Sequence, residues 1–387
     1  MKIPDGPLSR LGVLASEPIG VEFMNLLDLT QKSERAANME SQRSQQNGTM
    51  TDTALQLGLP QPQIVERNYA WSDRIGWSCH YGAIETAARY AGVAIRPESF
   101  DASWCHGCAE PWTPLSGSVM CCGAPEWTRL PVIAWRDDVA RRFSRDGARD
   151  VRLAGAPILY ADDGPVQRIP GSLLVMPMHS LTGERLEDRS LLQHYADDVA
   201  RHAGSYSTIV ASIHACCVSN GMWIPEFKSH SIPVILGASW ADVNALIRMR
   251  RLFSSFESMT TNGWGSHVAY ALAFGCRVSI HGPAPEINRE QLLQDESYRR
   301  SPKDLDEVLQ AAAERRDLAN LAVHYCPPDA AVADVEKGRF LIGADHKLSK
   351  TAMKSMLADV TRLRFPKVVW NTKRLGKQVL RRLMRLR

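Results

Sequence analysis

An α/β fold with a parallel, doubly wound sheet is the architecture this 387-residue sequence predicts. Three observations lead there. Apolar runs of strand length alternate with amphipathic segments of helix length, and strands that alternate with helices build parallel sheets. The chain is too long for a single hydrophobic core, so two domains with extensions are expected. Small polar residues and glycines gather between a strand and a helix, where such sheets place ligands.

The C-terminal half gives the clearer pattern. Strands are expected at Leu173–Met176, Thr208–Ile213, Pro233–Leu236, Phe256–Met259 and Arg277–Ile280. Helices are expected between them at Leu191–His202, Ala241–Leu252 and Ser266–Phe274. In the N-terminal half, Ala83–Tyr90 reads as a helix stopped near Gly92, with strands at Val93–Ile95, Pro131–Trp135 and Ala156–Tyr160 and a helix at Asp138–Phe143. The Pro- and Gly-containing stretch Asp162–Gly171 reads as an interdomain linker. Beyond Pro302, Leu305–Val323 is expected to be largely helical, and Leu341–Lys350 leads to closing helices. The expected division is a mostly disordered extension over 1–65, domains over 66–165 and 171–345, and closing helices with a basic tail over 346–387. Ser33–Thr53, polar and nearly free of large apolar side chains, is the reason for the first of these.

Composition sets outer limits. A hydrophobic fraction of 44% suffices for two cores, and 23% charged residues is ordinary for a water-soluble chain. No run of about 18 apolar residues free of charge occurs, so a membrane-spanning helix is not expected. No apolar segment of signal-peptide length follows the first residues, and a cytoplasmic protein with reduced thiols is expected. The net charge of +4 is uneven, because every charged residue after Thr361 is basic. Leu375, Val379, Leu383 and Leu386 recur at helical spacing among Lys373, Arg374, Lys377, Arg381 and Arg382, with Trp370 ahead of them. Such a helix suits an anionic bilayer surface, as at the inner face of the plasma membrane; a tail packed on a neighbouring domain is the other reading. Nucleic acid is not an expected partner, because the aromatic interleaving of a base-stacking surface is missing.

The stretch from Phe256 to Pro283 carries the most chemistry. A strand runs into Thr260, Thr261, Asn262, Gly263, Trp264 and Gly265; a helix opens at Ser266 and His267; Gly275 stops it, and a second strand follows. Free backbone N–H groups and the helix dipole favour phosphate at such a place. Gly263 and Gly265 allow close approach, and Thr260, Thr261, Asn262, Ser266 and His267 offer hydrogen bonds. A plain N-capped helix is the bland alternative.

The same residues carry a resemblance. Thr261-Asn262-x-x-Gly265-Ser266-His267-x-x-Tyr270-Ala271-Leu272, followed by Gly275-Cys276-Arg277-Val278, resembles the nucleotide-proximal segment of GT-B glycosyltransferase-like proteins of bacterial surface (capsular and exo-) polysaccharide synthesis. Leu173-Leu174-Val175-Met176-Pro177-Met178-His179-Ser180-Leu181 resembles the first strand and loop of that family's C-terminal domain. The similar pieces fall within about residues 130–350. The resemblance implies two Rossmann-like domains facing each other, the second holding a nucleotide sugar with Ser180 among its contacts. It also implies transfer to a glycan or lipid-linked acceptor, with no cofactor beyond the substrate.

Histidines are the candidates for acid, base or phosphate-donor roles. His179 follows a buried strand and should face the cleft, as a donor to a phosphate or leaving oxygen or as a loop cap. His267, in the first helical turn, is better neutral, as a ligand donor or a packing residue. His281 ends a strand and could line the same rim. His80 and His106 are candidates for activating an acceptor hydroxyl. Cys105, His106, Cys108, Cys121 and Cys122 invite a zinc site, but the second cysteine pair is adjacent, which suits one tetrahedral ion poorly. No metal is the expectation, because no Asp-x-Asp tripeptide ends an apolar strand; Asp304-Leu305-Asp306 lies in a charged helical segment. Asp162-Asp163-Gly164 resembles the acidic-acidic-Gly motif of bacterial sialyltransferases. Their His-Pro motif is replaced here by His281-Gly282-Pro283, and a turn is the expected role of the tripeptide.

A metal-independent glycosyltransferase is therefore the leading expectation. An epimerase or hydrolase acting on a nucleotide sugar is the second. A non-catalytic, membrane-peripheral partner of an assembly complex is the third.

Overall fold

The computed structural model describes residues 53–65, 80–104, 116–121, 127–162, 164–179, 189–283, 289–293, 302–314 and 319–361. The α/β class expected from the sequence is observed, in a small parallel sheet and a larger sheet that is parallel but for one edge strand. The smaller sheet has the order β1-β2-β3, from Ser103–Trp104, Val132–Ala134 and Val151–Leu153. Its helices are α1 (Ala83–Ala91), α2 (Gly117–Met120) and α3 (Asp137–Arg145).

The larger sheet has the order β6-β5-β4-β7-β8-β9. Its strands are Ile169–Val175, Thr208–Ile213, Val234–Leu236, Phe256–Thr261, Arg277–Ile280 and Val332–Ala333, numbered β4 to β9 in chain order. All neighbours are parallel except β9, which closes the edge antiparallel to β8. The helices α4 (Ser190–Arg201), α5 (Ala215–Ser219) and α6 (Ile224–Ser229) follow β4 and β5. They cover the face that carries Leu173, Val175, Ala211 and Ile213. On the other face, α7 (Ala245–Ser255) and α8 (Ser266–Ala273) pack against Leu174, Val210, Met259 and Val278. The chain thus winds outward from β4 to β6 and restarts at β7 on β4's other side. That reversal places a topological switch point between β4 and β7.

The second core cluster does not stop at the larger sheet. It continues without a break through Trp104, Ile133, Phe143 and Tyr160 of the smaller sheet's surroundings. The remaining helices are α9 (Arg289–Leu292), α10 (Pro302–Glu314), α11 (Val335–Leu341) and α12 (Lys350–Asp359). α12 packs on α1, and α11 on α8.

Several sequence expectations need correction. Ala156–Tyr160 is a 3-10 turn over Pro157–Tyr160, because Pro157 starts it and lacks the N–H a ladder needs. The third strand of that sheet lies earlier, at Val151–Leu153. Val93–Ile95 forms no strand among the described residues; Gly92 ends α1 in the left-handed region and Val93 N–H turns back to Ala88 O. The helix expected from Ala241 starts at Ala245, because Asp242 is used elsewhere. Its carboxylate is buried against Arg248 at 2.6 Å and accepts from Gln63 N and Asn244 N. Arg248 also donates to Pro60 O and Gly237 O, which stitches residues 59–65 onto α7. The end of the expected linker, finally, belongs to β4. A register shift between Ile169 and Leu173 carries Gly171, whose N–H meets Glu257, while Arg168 donates to the carbonyls of Phe256 and Phe274. The helix expected over Leu305–Val323 is α10 followed by a separate 3-10 segment at Ala319–His324. Ser33–Thr53 apart from its last residue, and the basic tail, lie outside the described residues.

Candidate functional site at the sheet switch point

The loops after β4 and β7 leave the sheet edge side by side, and Asn262 joins them. Its side chain is buried, accepts from Met178 N at 2.8 Å and donates to Pro283 O at 2.8 Å. One amide therefore ties together the loops that follow β4, β7 and β8. Thr261, also buried, donates to Gly263 O at 3.1 Å and lies 2.9 Å from His267 Nε2. With the Thr261 proton spent on that carbonyl, His267 is the donor in the second bond, and its Nδ1 is left as an acceptor beside Gly265. Gly263 lies so close to Met178 that a Cβ would stand 2.0 Å from the sulfur.

Helix α8 begins without a side-chain cap. Gly265 is its N-cap residue, in fully extended backbone, and has no side chain to cap it. Val268 N–H donates back to Gly265 O at 3.0 Å, so the amides that this helix start presents, at the positive end of the dipole, are those of Ser266 and His267. A side chain at Gly265 would meet the His267 ring at 2.8 Å.

Imidazoles gather around this point. His179 is exposed after β4 and stacks on His214, with ring centroids 4.6 Å apart. His214 follows β5 directly, accepts from Cys216 N through Nδ1 at 3.2 Å, and lies 3.2 Å from the Tyr81 hydroxyl through Nε2. A neutral His214 that accepts at Nδ1 carries its proton on Nε2 and donates it to Tyr81. Burial is the first cause and His179 the second that hold both His214 and His267 low: His214 falls well below its ordinary value, and His267 falls to about 3. Burial also raises the Tyr81 phenol above its ordinary range. These groups are neutral near pH 7 and act as hydrogen-bonding dipoles.

Tyr81 is held in strained backbone. Its φ is +58°, and Gly82 follows at +71°, with its Cα against the Val243 carbonyl, where a Cβ would stand 2.2 Å from the oxygen. Tyr81 N–H donates to Trp240 O at 2.8 Å. A non-glycine residue held there costs on the order of 1–3 kcal/mol, a pattern common at binding sites. His80 sits edge-on to Trp240, with centroids 5.6 Å apart, in the loop after β6.

The predicted residues divide as follows. Thr261, Asn262, Gly263, Gly265, Ser266, His267 and His179 cluster at the switch point. Thr260 is fully buried inside the sheet and donates to Ser279 Oγ at 3.3 Å, away from the edge. His80 joins the rim through Trp240 and Tyr81. Ser180, His106, Cys105, Cys108 and Cys122 lie outside the described residues, as do Trp370, Lys373, Arg374, Lys377, Arg381 and Arg382. Cys121 is buried. Asp162 accepts from Gly164 N, the expected turn. Sequence reasoning missed Tyr81 and His214. One signal was available for His214: like His281, it is the first residue after a strand.

No family model and no curated protein matches the sequence. Solved structures give weak likenesses. The UDP-GlcNAc 2-epimerase of Neisseria meningitidis bound to UDP-GlcNAc matches at 9% identity and TM-score 0.28, over 64% of this chain and 65% of that one. MnaA of S. aureus with UDP matches at 12% and 0.29, over 65% and 67%. A UGT transferase of Siraitia grosvenorii with UDP matches at 12% and 0.28, over 86% and 80%. The chain thus spans slightly under two thirds of the epimerase's length. At such scores these likenesses decide neither ligand nor reaction. Among the described residues no helix is long and apolar enough to cross a membrane.

Proposed function

We propose that the protein is a nucleotide-sugar enzyme of GT-B type that transfers a sugar to a glycan or lipid-linked acceptor in polysaccharide synthesis. One observation carries this reading: polar groups converge at the switch point between β4 and β7, at the carboxyl ends of the strands. That is where open parallel sheets bind ligands, and the uncapped start of α8 supplies donors suited to a diphosphate.

In this reading the α8 amides and Ser266 hold the diphosphate, and Gly265 lets it approach the backbone. The leaving phosphate is stabilised by helix amides and imidazole donors placed where charge develops, with no metal at that position. His179, exposed beside the half-buried His214, gives or takes the proton of the transfer step. Tyr81 and His80 line the side from which an acceptor would enter. The basic tail extends the proposal, by holding the enzyme at an anionic membrane surface where lipid-linked acceptors reside.

The test has two parts. Gly265→Val should abolish binding of a nucleoside diphosphate in calorimetry while thermal unfolding stays cooperative; unchanged affinity would remove α8 from the site. His179→Ala should lower turnover by roughly 100-fold in assays with a nucleotide-sugar panel. Product analysis in the same assays separates transfer from release of free sugar or an epimerised donor.

A further inference from the structure

A second cluster lies away from the imidazoles of the switch point, on the α4 face of the larger sheet. Asp198 and His202 stand four residues apart at the end of α4, His202 being its C-cap, so both project from one face. His281 is the first residue after β8. One ligand atom from each lies within 4.8 Å of the other two.

The contacts inside the cluster are unbalanced. His281 Nε2 is 2.8 Å from Asp198 Oδ2, yet that oxygen has no aligned hydrogen-bond donor among the described residues. The two facts agree if the nitrogen faces the oxygen without pointing a proton at it. Asp198 is 9% exposed and its other oxygen accepts from Arg201, whereas His281 is 29% exposed and His202 21%. A buried carboxylate oxygen is thus aimed into a small space walled by two half-buried imidazoles. Leaving such an oxygen unmatched is costly. Behind the cluster, Asp329 Oδ1 is 3.4 Å from His202 Nδ1, the placement by which carboxylates orient metal-binding histidines.

We propose that Asp198, His202 and His281 form a binding site for a divalent ion of the zinc class. Two imidazoles and one carboxylate suit zinc, and water would complete a tetrahedron. The ion would sit between the lone pairs of Asp198 and His281 and clamp α4 to the β8 edge. His281 lies two residues before Pro283, whose carbonyl is held by Asn262, so the clamp would also steady the loop that borders the switch point.

The experiment uses the full chain, stripped with a chelator and titrated with Zn²⁺ alone. Calorimetry should show an ion whose affinity falls about 100-fold or more in Asp198→Asn and in His281→Asn. His230→Asn, which removes a histidine 2.7 Å from Asp197 on the same helix, should leave it unchanged. X-ray absorption on the wild-type zinc complex should show a shell of nitrogen and oxygen with imidazole scattering. That reading does not depend on the variants folding, and it separates this site from the cysteine-rich stretch, which would give sulfur ligands. Zinc affinity unchanged in both variants, a sulfur shell, or no binding up to millimolar zinc would each overturn the assignment.

Discussion

Acid should unfold this protein partly through His267, and the structure fixes the sign. In the folded state its ring is half-buried against Thr261, and desolvation first, then His179, hold its pKa at about 3. In the unfolded chain the ring titrates at about 6.5. Between those values the unfolded state binds a proton that the native state refuses. The stabilisation is therefore complete above the unfolded value and is lost as pH falls through it toward the folded one. The slope approaches 1.36 kcal/mol per pH unit for one proton, so lowering the pH from 7 to 5 should cost about 2 kcal/mol through this residue alone. His214, also held low, adds in the same direction. The perturbation is His267→Gln, whose amide nitrogen can replace the Nε2 donor to Thr261 without titrating. Urea unfolding at a series of pH values should show the variant losing about 2 kcal/mol less than wild type over that interval. If the two stability curves run parallel, the neutral, desolvated state assigned to His267 is wrong.

Three further outcomes follow from contacts already described. Asn262→Ala removes both bonds that join the three loops and should cost about 2 kcal/mol, read as a lower denaturation midpoint with unchanged slope. Asp242→Ala leaves the Arg248 guanidinium buried and unpaired, and should cost about 3–5 kcal/mol; Asp242→Ala with Arg248→Met should recover much of that. Gly82→Ala drives a Cβ into the Val243 carbonyl and should displace Tyr81 from His214, seen as a shifted His214 ring resonance with loss of stability.

Much of the larger sheet was legible because its signals are local. Thr208–Ile213 forms a strand with the expected bounds, and Phe256 to Ile280 folds as strand, turn, helix and strand, because hydrophobic runs and Gly275 act within a few residues. The failures came where a distant partner decided the outcome. Ser103–Trp104 is a strand of two residues that exists only because β2 lies beside it. Asp242 delays a helix because Arg248 and Gln63 claim its carboxylate.

The site divides along the same line. The polar turn at Thr261–Ser266 and the histidine after β4 could be read along the chain, since a strand end followed by a helix start is a property of contiguous residues. Folding in space made Asn262 a tie between loops, turned Thr260 inward, and brought Tyr81 to His214 across 133 positions of chain. It also decided that Asp198, His202 and His281 meet. Hydrogen bonds and burial depend on distance in space, and spacing along the chain carries that information only where the chain itself is the connection.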